Sequence, residues 1–262
     1  MKKTIYFLLL SCVSVYFPLC SHIIETPHFS DILNYINPNT LVILDIDDTL
    51  LLPTQTLGTD AWFLHRLKYH QDNQAPAALD KALAEWEAIR HLTHVKIVEE
   101  GTEKVIEAMQ KRGITVMGLT TQGLALATRT INQLRTLHID LTKTAPAPED
   151  HYFINQQGVL YRQGVLFTSG SPKGPALLKL LAILNYCPEH VIFINDKATH
   201  LKDVESSVIE KGIDFLGLRY NYSDERVANF NPEIAEIQWK HSTFMHILSD
   251  QEAEEILNYQ AM

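Results

Sequence analysis

Four uninterrupted apolar runs punctuate the chain: "LVIL" at 41–44, "ITVMGL" at 114–119, "HVIFIN" at 190–195 and "IDFLGLRY" at 213–220. Each is short, unalternating and bounded by turn formers, which predicts strands buried on both faces. Between them the apolar positions recur at helical spacing. "APAALDKALAEWEAIRHL" sets Leu79, Leu83, Trp86 and Ile89 on one stripe, and the segment 53–97 predicts a mostly helical insertion without a strand of its own. "GTEKVIEAMQKRG" predicts a helix closed by Gly113, with Lys111 and Arg112 in its last turn. A further helix is expected from about Gln122 through "ALATRTINQLRTL".

"YFINQQGVLYRQGVLFT" predicts a hairpin of two short β runs with glycine-containing turns. "SGSPKGPALLKLLAIL" predicts a helix with Ser171 as N-cap and Pro172 at its first position. Short helices are expected at "FSDILNYI" and at the C-terminus, where Ser249 and Glu252 form a capping box. Alternating strands and helices predict an α/β fold: a Rossmann-like parallel sheet flanked by helices, with a small helical cap at about 53–97.

Composition changes the picture only at the edges. The chain has 262 residues, 46% apolar and 20% charged, with a net charge of -9. That acidity argues against nucleic acid as a partner. Residues 1–21 carry Lys2 and Lys3 ahead of an apolar run interrupted by Pro18, which reads as a secretory signal too short for a membrane span. The mature chain is then 22–262, exported to the periplasm or secreted, with no stable membrane span. Two of the three cysteines fall in that segment. Cys187 alone remains, so no disulfide forms within the mature chain, and its setting after "LLAILNY" reads as a small buried residue.

The candidate chemistry sits at strand ends. The first run stops in Asp45, Asp47 and Asp48, followed by Thr49; the second in Thr120 and Thr121; the third in Asn195 and Asp196. A parallel sheet brings these ends to one edge, where ligands bind. Lys173 opens a helix near that edge. Clustered carboxylates resist burial without positive charge, so a hard cation is expected among them. A carboxylate nucleophile, a second carboxylate for proton transfer, and a hydroxyl and a lysine for nonbridging oxygens suit phosphoryl transfer.

"LVILDIDDTL", "VMGLTT", "SPKG" and "FIND" resemble, in order, the four motifs of the haloacid dehalogenase superfamily, over roughly residues 40–220. More narrowly, "LGTDAWF", "LTTQG" and "VIFINDKATHLKDV" resemble a bacterial family within it that is common in intracellular bacteria. The chain is also similar, at a distance, to secreted acid phosphatases. The resemblance implies Asp45 as nucleophile and Mg²⁺ ligand, Asp47 as general acid/base and ligand through its carbonyl, and Thr120 and Lys173 as phosphate binders. It implies Asp196 as the remaining metal ligand, with Thr49, Thr121 and Asn195 supporting these groups. An acid at position 47 favours a phosphatase over a dehalogenase.

One departure stands out. The fourth motif is Asn195-Asp196 where the family has Asp-Asp or Gly-Asp, and His200 takes a position often held by an acid or amide. The leading expectation is an Mg²⁺-dependent phosphomonoester hydrolase acting on a phosphorylated small molecule or phosphoprotein. The alternative is a catalytically inert binding or effector protein; a phosphotransferase would share every motif. Asp48 reads as a capping or supporting residue. His91 and His94 have no third ligand partner, and Trp62 and Phe63 read equally as pocket wall or core.

Overall fold

The computed structural model describes residues 23–260. In chain order the elements are β1 (Ile23–Thr26), β2 (Thr40–Leu44), β3 (Leu51–Pro53), α1 (Asp60–Asp72), α2 (Ala78–Leu92), β4 (Val95–Ile97) and α3 (Thr102–Lys111). Then come β5 (Thr115–Thr120), α4 (Ala127–Thr136), β6 (His151–Ile154), β7 (Gly158–Arg162), β8 (Val165–Phe167) and α5 (Lys173–Ile183). The chain continues through β9 (His190–Asn195), α6 (Ala198–Ile209), β10 (Asp214–Tyr220), α7 (Asp224–Ala228), α8 (Pro232–His241) and α9 (Asp250–Gln260). The expected signal at 1–21 lies outside the described residues.

The four apolar runs form β2, β5, β9 and β10, at the centre of an eight-stranded sheet ordered β1-β10-β9-β2-β5-β8-β7-β6. Neighbours from β1 to β8 run parallel, and β7 and β6 are antiparallel. Successive side chains alternate between faces. Val42, Leu44 and Val116 therefore join one core, while Leu41, Ile43, Met117 and Leu119 join the other. In register, Leu44 lies opposite Gly118 on β5 and Ile194 on β9, so β2, β5 and β9 deliver their following residues to one edge.

The structure corrects several local expectations. The segment 53–97 does contain a strand: β4 pairs antiparallel with β3, Leu51 opposite Ile97 and Pro53 opposite Val95. Three residues are too few for periodicity to reveal. The expected hairpin has three strands, because β8 turns back from β7 to pair in parallel with β5. The strand β1 was not anticipated; it extends the far side of the sheet along β10. The helix expected from Gln122 opens with a 3₁₀ turn at Leu124–Leu126. The segment Phe29–Asn34 is 3₁₀ as well. Pro172, not Ser171, is the N-cap of α5, and it offers no side-chain cap. The Ser171 hydroxyl instead accepts from the Gln157 N–H at 2.9 Å. Cys187 is exposed, because α5 has already ended and the chain turns across the surface.

The stripe on α2 is also displaced. Ala82, Trp86, Ile89 and Arg90 are its buried residues, while Leu79 is 52% exposed. The capping box ahead of α9 forms as expected, with Ser249 N–H donating to Glu252 Oε2 at 2.7 Å and Glu252 N–H to Ser249 Oγ at 3.2 Å.

Candidate active site

The turn after β2 explains how two aspartates in an extended sequence reach one place. Leu50 N–H and Leu51 N–H both donate to the Ile46 carbonyl, and Asp48 N–H donates to the Leu51 carbonyl at 3.0 Å. Asp48 takes the left-handed region at φ 58°. A non-glycine residue holds that conformation only when its surroundings over-determine it. Here Arg226 pairs with the Asp48 carboxylate, and the Ser223 hydroxyl donates to the Asp48 carbonyl at 2.6 Å. Burial and the nearby Asp60 charge push the Asp48 carboxyl up to about 7.

Asp45 meets Lys173 at the start of α5, with Nζ 2.6 Å from Oδ1. Lys173 is 1% exposed. A buried ammonium is tolerated only when paired, so this contact fixes the lysine. The helix that carries it is itself pinned. Gly174 N–H donates to the Asp203 carboxylate on α6 at 3.0 Å. A Cβ at Gly174 would come within 2.4 Å of the Asp203 carbonyl and 2.3 Å of Ser207 Oγ, so only glycine permits this approach of α5 to α6.

Asp47 is held differently. Gln122 Nε2 donates to its Oδ2 at 2.7 Å, and Thr130 fixes Gln122 by donating to Oε1 at 2.6 Å. Arg90, arriving from α2, places Nη2 2.8 Å from Asp47 Oδ1. The contact is an ion pair without hydrogen-bond alignment, since both atoms lack a hydrogen-bond partner. Burial raises the Asp47 carboxyl above its ordinary range, and the Arg90 charge only partly opposes this.

The third strand end is built around Lys197. Its ammonium pairs with Asp60 at the start of α1, joining the sheet edge to the helical pair. Burial works to raise the Asp60 carboxyl, but the Lys197 charge and hydrogen bond overcome it and Asp60 stays below its ordinary value. Asn195 is buried; its Oδ1 accepts from Lys197 N–H at 2.7 Å, while its Nδ2 has no partner among the described residues. The Asp196 carboxyl is pushed up to about 8 by burial and then by the Asp45 charge. Burial and the Lys173 charge drop His200 to about 4, so its ring is neutral at ordinary pH.

The two threonines after β5 separate. Thr120 is buried, with its hydroxyl accepting from Gln122 N–H at 3.2 Å, and Thr121 is exposed. Thr49 is buried, its hydroxyl without a hydrogen-bond partner among the described residues. Beside this edge opens a cavity of about 400 Å³. Asp47, Thr121, Gln122 and Gly123 lie on one side, Asp60, Lys197 and His200 on another, and Phe63, Leu64, Leu83 and Trp86 form an apolar wall. Trp62 and Phe63 thus divide: Trp62 packs on Trp239 in a small core, and Phe63 faces the cavity. His91 and His94 are exposed.

The residues at this edge suit a hard divalent cation. Asp196 Oδ1 is buried without a hydrogen-bond partner, and the Asp45 charge repels it. An oxygen-coordinating cation between them would satisfy both. The donor set expected from the sequence is two carboxylates and a backbone carbonyl; among the described residues no group of three His, Cys, Asp or Glu is arranged to hold a metal.

Sequence reasoning missed Arg90, Gln122, Asp60 and Lys197. Arg90 did leave a signal. It stands four residues after Trp86 and one after Ile89, a charge on the apolar stripe of an amphipathic helix.

Comparisons with known proteins extend over most of the chain. A Chlamydia pneumoniae protein named "Putative outer membrane protein" is 26% identical over 271 residues, covering 99% of this chain and 98% of that protein. A protein of the same name from Chlamydia trachomatis is 29% identical over 212 residues, covering 80% of this chain and 79% of that one. Among solved structures, a HAD-superfamily hydrolase from Geobacter sulfurreducens is similar at 12% identity and a TM-score of 0.41, covering 72% of this chain and 95% of that one. A family model also matches, over residues 25–254, taking in the strand ends, the helical pair and α8: the chain belongs to the family described as protein of unknown function (DUF2608).

Proposed function

We propose that the protein is an Mg²⁺-dependent phosphomonoester hydrolase that works through a phosphoenzyme on Asp45. The observation that carries this reading is the buried Lys173–Asp45 pair beside the repelled carboxylate of Asp196. Lys173 holds Asp45 in one orientation, with the second carboxylate oxygen left to act. That oxygen attacks phosphorus, the ester P–O bond breaks, and Asp47 gives a proton to the departing alkoxide. Burial raises the Asp47 carboxyl above its ordinary range, the direction a proton donor needs. Water then attacks phospho-Asp45, passing its proton to Asp47, and inorganic phosphate leaves with Asp45 restored. Thr120 and Lys173 bind the nonbridging oxygens. Mg²⁺ held by Asp45, Asp196 and the Asp47 carbonyl would supply the positive charge that lets a phosphate dianion approach carboxylates.

In this reading α1 and α2 are the cap, at about 53–97, and exclude bulk water. The substrate is a phosphorylated small molecule or a phosphoprotein. The chain is exported, the segment 1–21 acting as its signal. Among the described residues no helix is long and apolar enough to cross a membrane.

The test is hydrolysis of an aryl phosphate with Mg²⁺ and with chelator, beside Asp45→Asn. Turnover that requires both the metal and Asp45 supports the enzyme. The second reading, an inert binding protein, is favoured by Asn195 in the fourth motif. Absence of both turnover and Mg²⁺ binding by calorimetry would select it.

A further inference from the structure

The geometry points to the substrate: the cavity above Asp47 takes the phosphate monoester of an aromatic alcohol carrying no second anionic group. This inference rests on the phosphatase reading and adds the identity of the alcohol. Two observations carry it.

The first is the wall. Phe63 and Leu64 come from α1, and Leu83 and Trp86 from α2. Phe63 and Trp86 meet edge to face at 6.2 Å. Leu64 is 57% exposed and Leu83 37%. Both helices thus leave a leucine at the cavity, where burial of a ligand would remove apolar surface from water. A flat ring fits against such a wall; a polyhydroxylated sugar would leave its hydroxyls unpaired there.

The second is charge. Among the described residues the cations at the cavity and the strand ends are paired: Lys197 with Asp60, Arg90 with Asp47, Lys173 with Asp45. The surplus is acidic. Beyond those pairs, the Glu87 carboxylate lies directly over Gly123, where a Cβ would stand 2.3 Å from its Oε1. A carboxylate or second phosphate on the alcohol would face this carboxylate, with no unpaired lysine or arginine lining the cavity among the described residues. His200, on the polar side, offers a neutral ring to a hydroxyl.

The experiment compares kcat/KM of the purified protein, with Mg²⁺, for benzyl phosphate, glycerol 3-phosphate and fructose 1,6-bisphosphate. The first two release alcohols of similar acidity, so their ratio reads recognition and not leaving-group chemistry. Benzyl phosphate is expected to lead by about tenfold or more. In Leu64→Ser/Leu83→Ser, changed at exposed positions, that ratio should fall about fivefold. A capped phosphotyrosyl peptide set against phenyl phosphate, both releasing phenols of similar acidity, separates sources: equal turnover assigns a protein-borne ring, and poor turnover of the peptide a free one. Preference for glycerol 3-phosphate or the bisphosphate, or an unmoved ratio in the double variant, overturns the inference while leaving the phosphatase standing. If nothing is turned over, binding of benzylphosphonate by calorimetry decides. Binding weakened in the double variant keeps the aromatic site and removes the enzyme; no binding removes both.

Discussion

Arg90 on α2 lies 2.8 Å from Asp47 at the edge of the sheet, a buried ion pair between the helical pair and the strand-end turn. It draws a residue of the cap into contact with the proposed acid/base. Arg90→Met keeps the apolar stem and removes the charge. It is expected to lower kcat about tenfold, below the roughly hundredfold or more that a general acid/base group itself contributes, with the fold retained by circular dichroism. A wild-type kcat would remove Arg90 from the proposed machinery.

Lys173 is expected to matter twice. Lys173→Ala strands Asp45, buried, without its partner, which costs about 3 kcal/mol of stability. It also removes a phosphate contact, so kcat falls and KM rises together. Denaturant melts and steady-state kinetics on one preparation check both; an unchanged rate would place Lys173 in a purely structural role.

Gly174→Ala tests the packing behind Lys173. The new Cβ meets the Asp203 carbonyl, a backbone atom that cannot swing aside. About 2 kcal/mol of stability should be lost, and activity with it, because Lys173 moves when α5 is pushed away from α6. A Tm equal to wild type would contradict this geometry.

Gln238 ties the first linker of the helical pair to the C-terminal helices. Its Oε1 accepts from Leu57 N–H at 2.8 Å, and its Nε2 donates to Asp250 at 2.7 Å and the Leu248 carbonyl at 3.0 Å. Gln238→Leu leaves a buried N–H unpartnered and should cost about 2 kcal/mol. Hydrogen exchange should rise at residues 54–60 first; uniform protection there would overturn the anchoring role.

The helical pair should loosen in acid. Arg66 grips Glu85 with Nε at 2.8 Å and Nη2 at 3.1 Å, and reaches Glu236 on α8 at 3.1 Å. Burial tends to raise the Glu85 carboxyl, but the hydrogen bonds and charge of Arg66 prevail and hold it below the ordinary 4.5. A lowered folded value means stability is present above 4.5 and is lost as pH falls through the folded value. Glu85→Gln should therefore melt lower than wild type at pH 7, with the gap narrowing towards pH 3. A constant gap would sink the assignment.

The three strand-end clusters were legible because each depends on a few adjacent residues: an apolar run sets the strand, and the next residues must lie at its carboxyl end. The same locality explains the misses. The strands β3, β4 and β8 have three residues each, too few for their apolar character to be told from a loop's, so their pairing with one another and with β5 left no signal. Ser171 carried a capping signature, but Gln157 on the neighbouring turn claims its hydroxyl.

From sequence alone came the parallel sheet, the edge that gathers Asp45, Asp47, Thr120, Lys173 and Asp196, and the chemistry those groups suit. The tertiary structure alone decided which charges meet: Arg90 with Asp47, Lys197 with Asp60, Arg226 with Asp48, and the leucines left at the cavity. The reason is physical. Strand and helix are written in short-range periodicity, whereas a buried charge finds its partner only when two distant elements dock, and the sequence spacing between them carries no record of that approach.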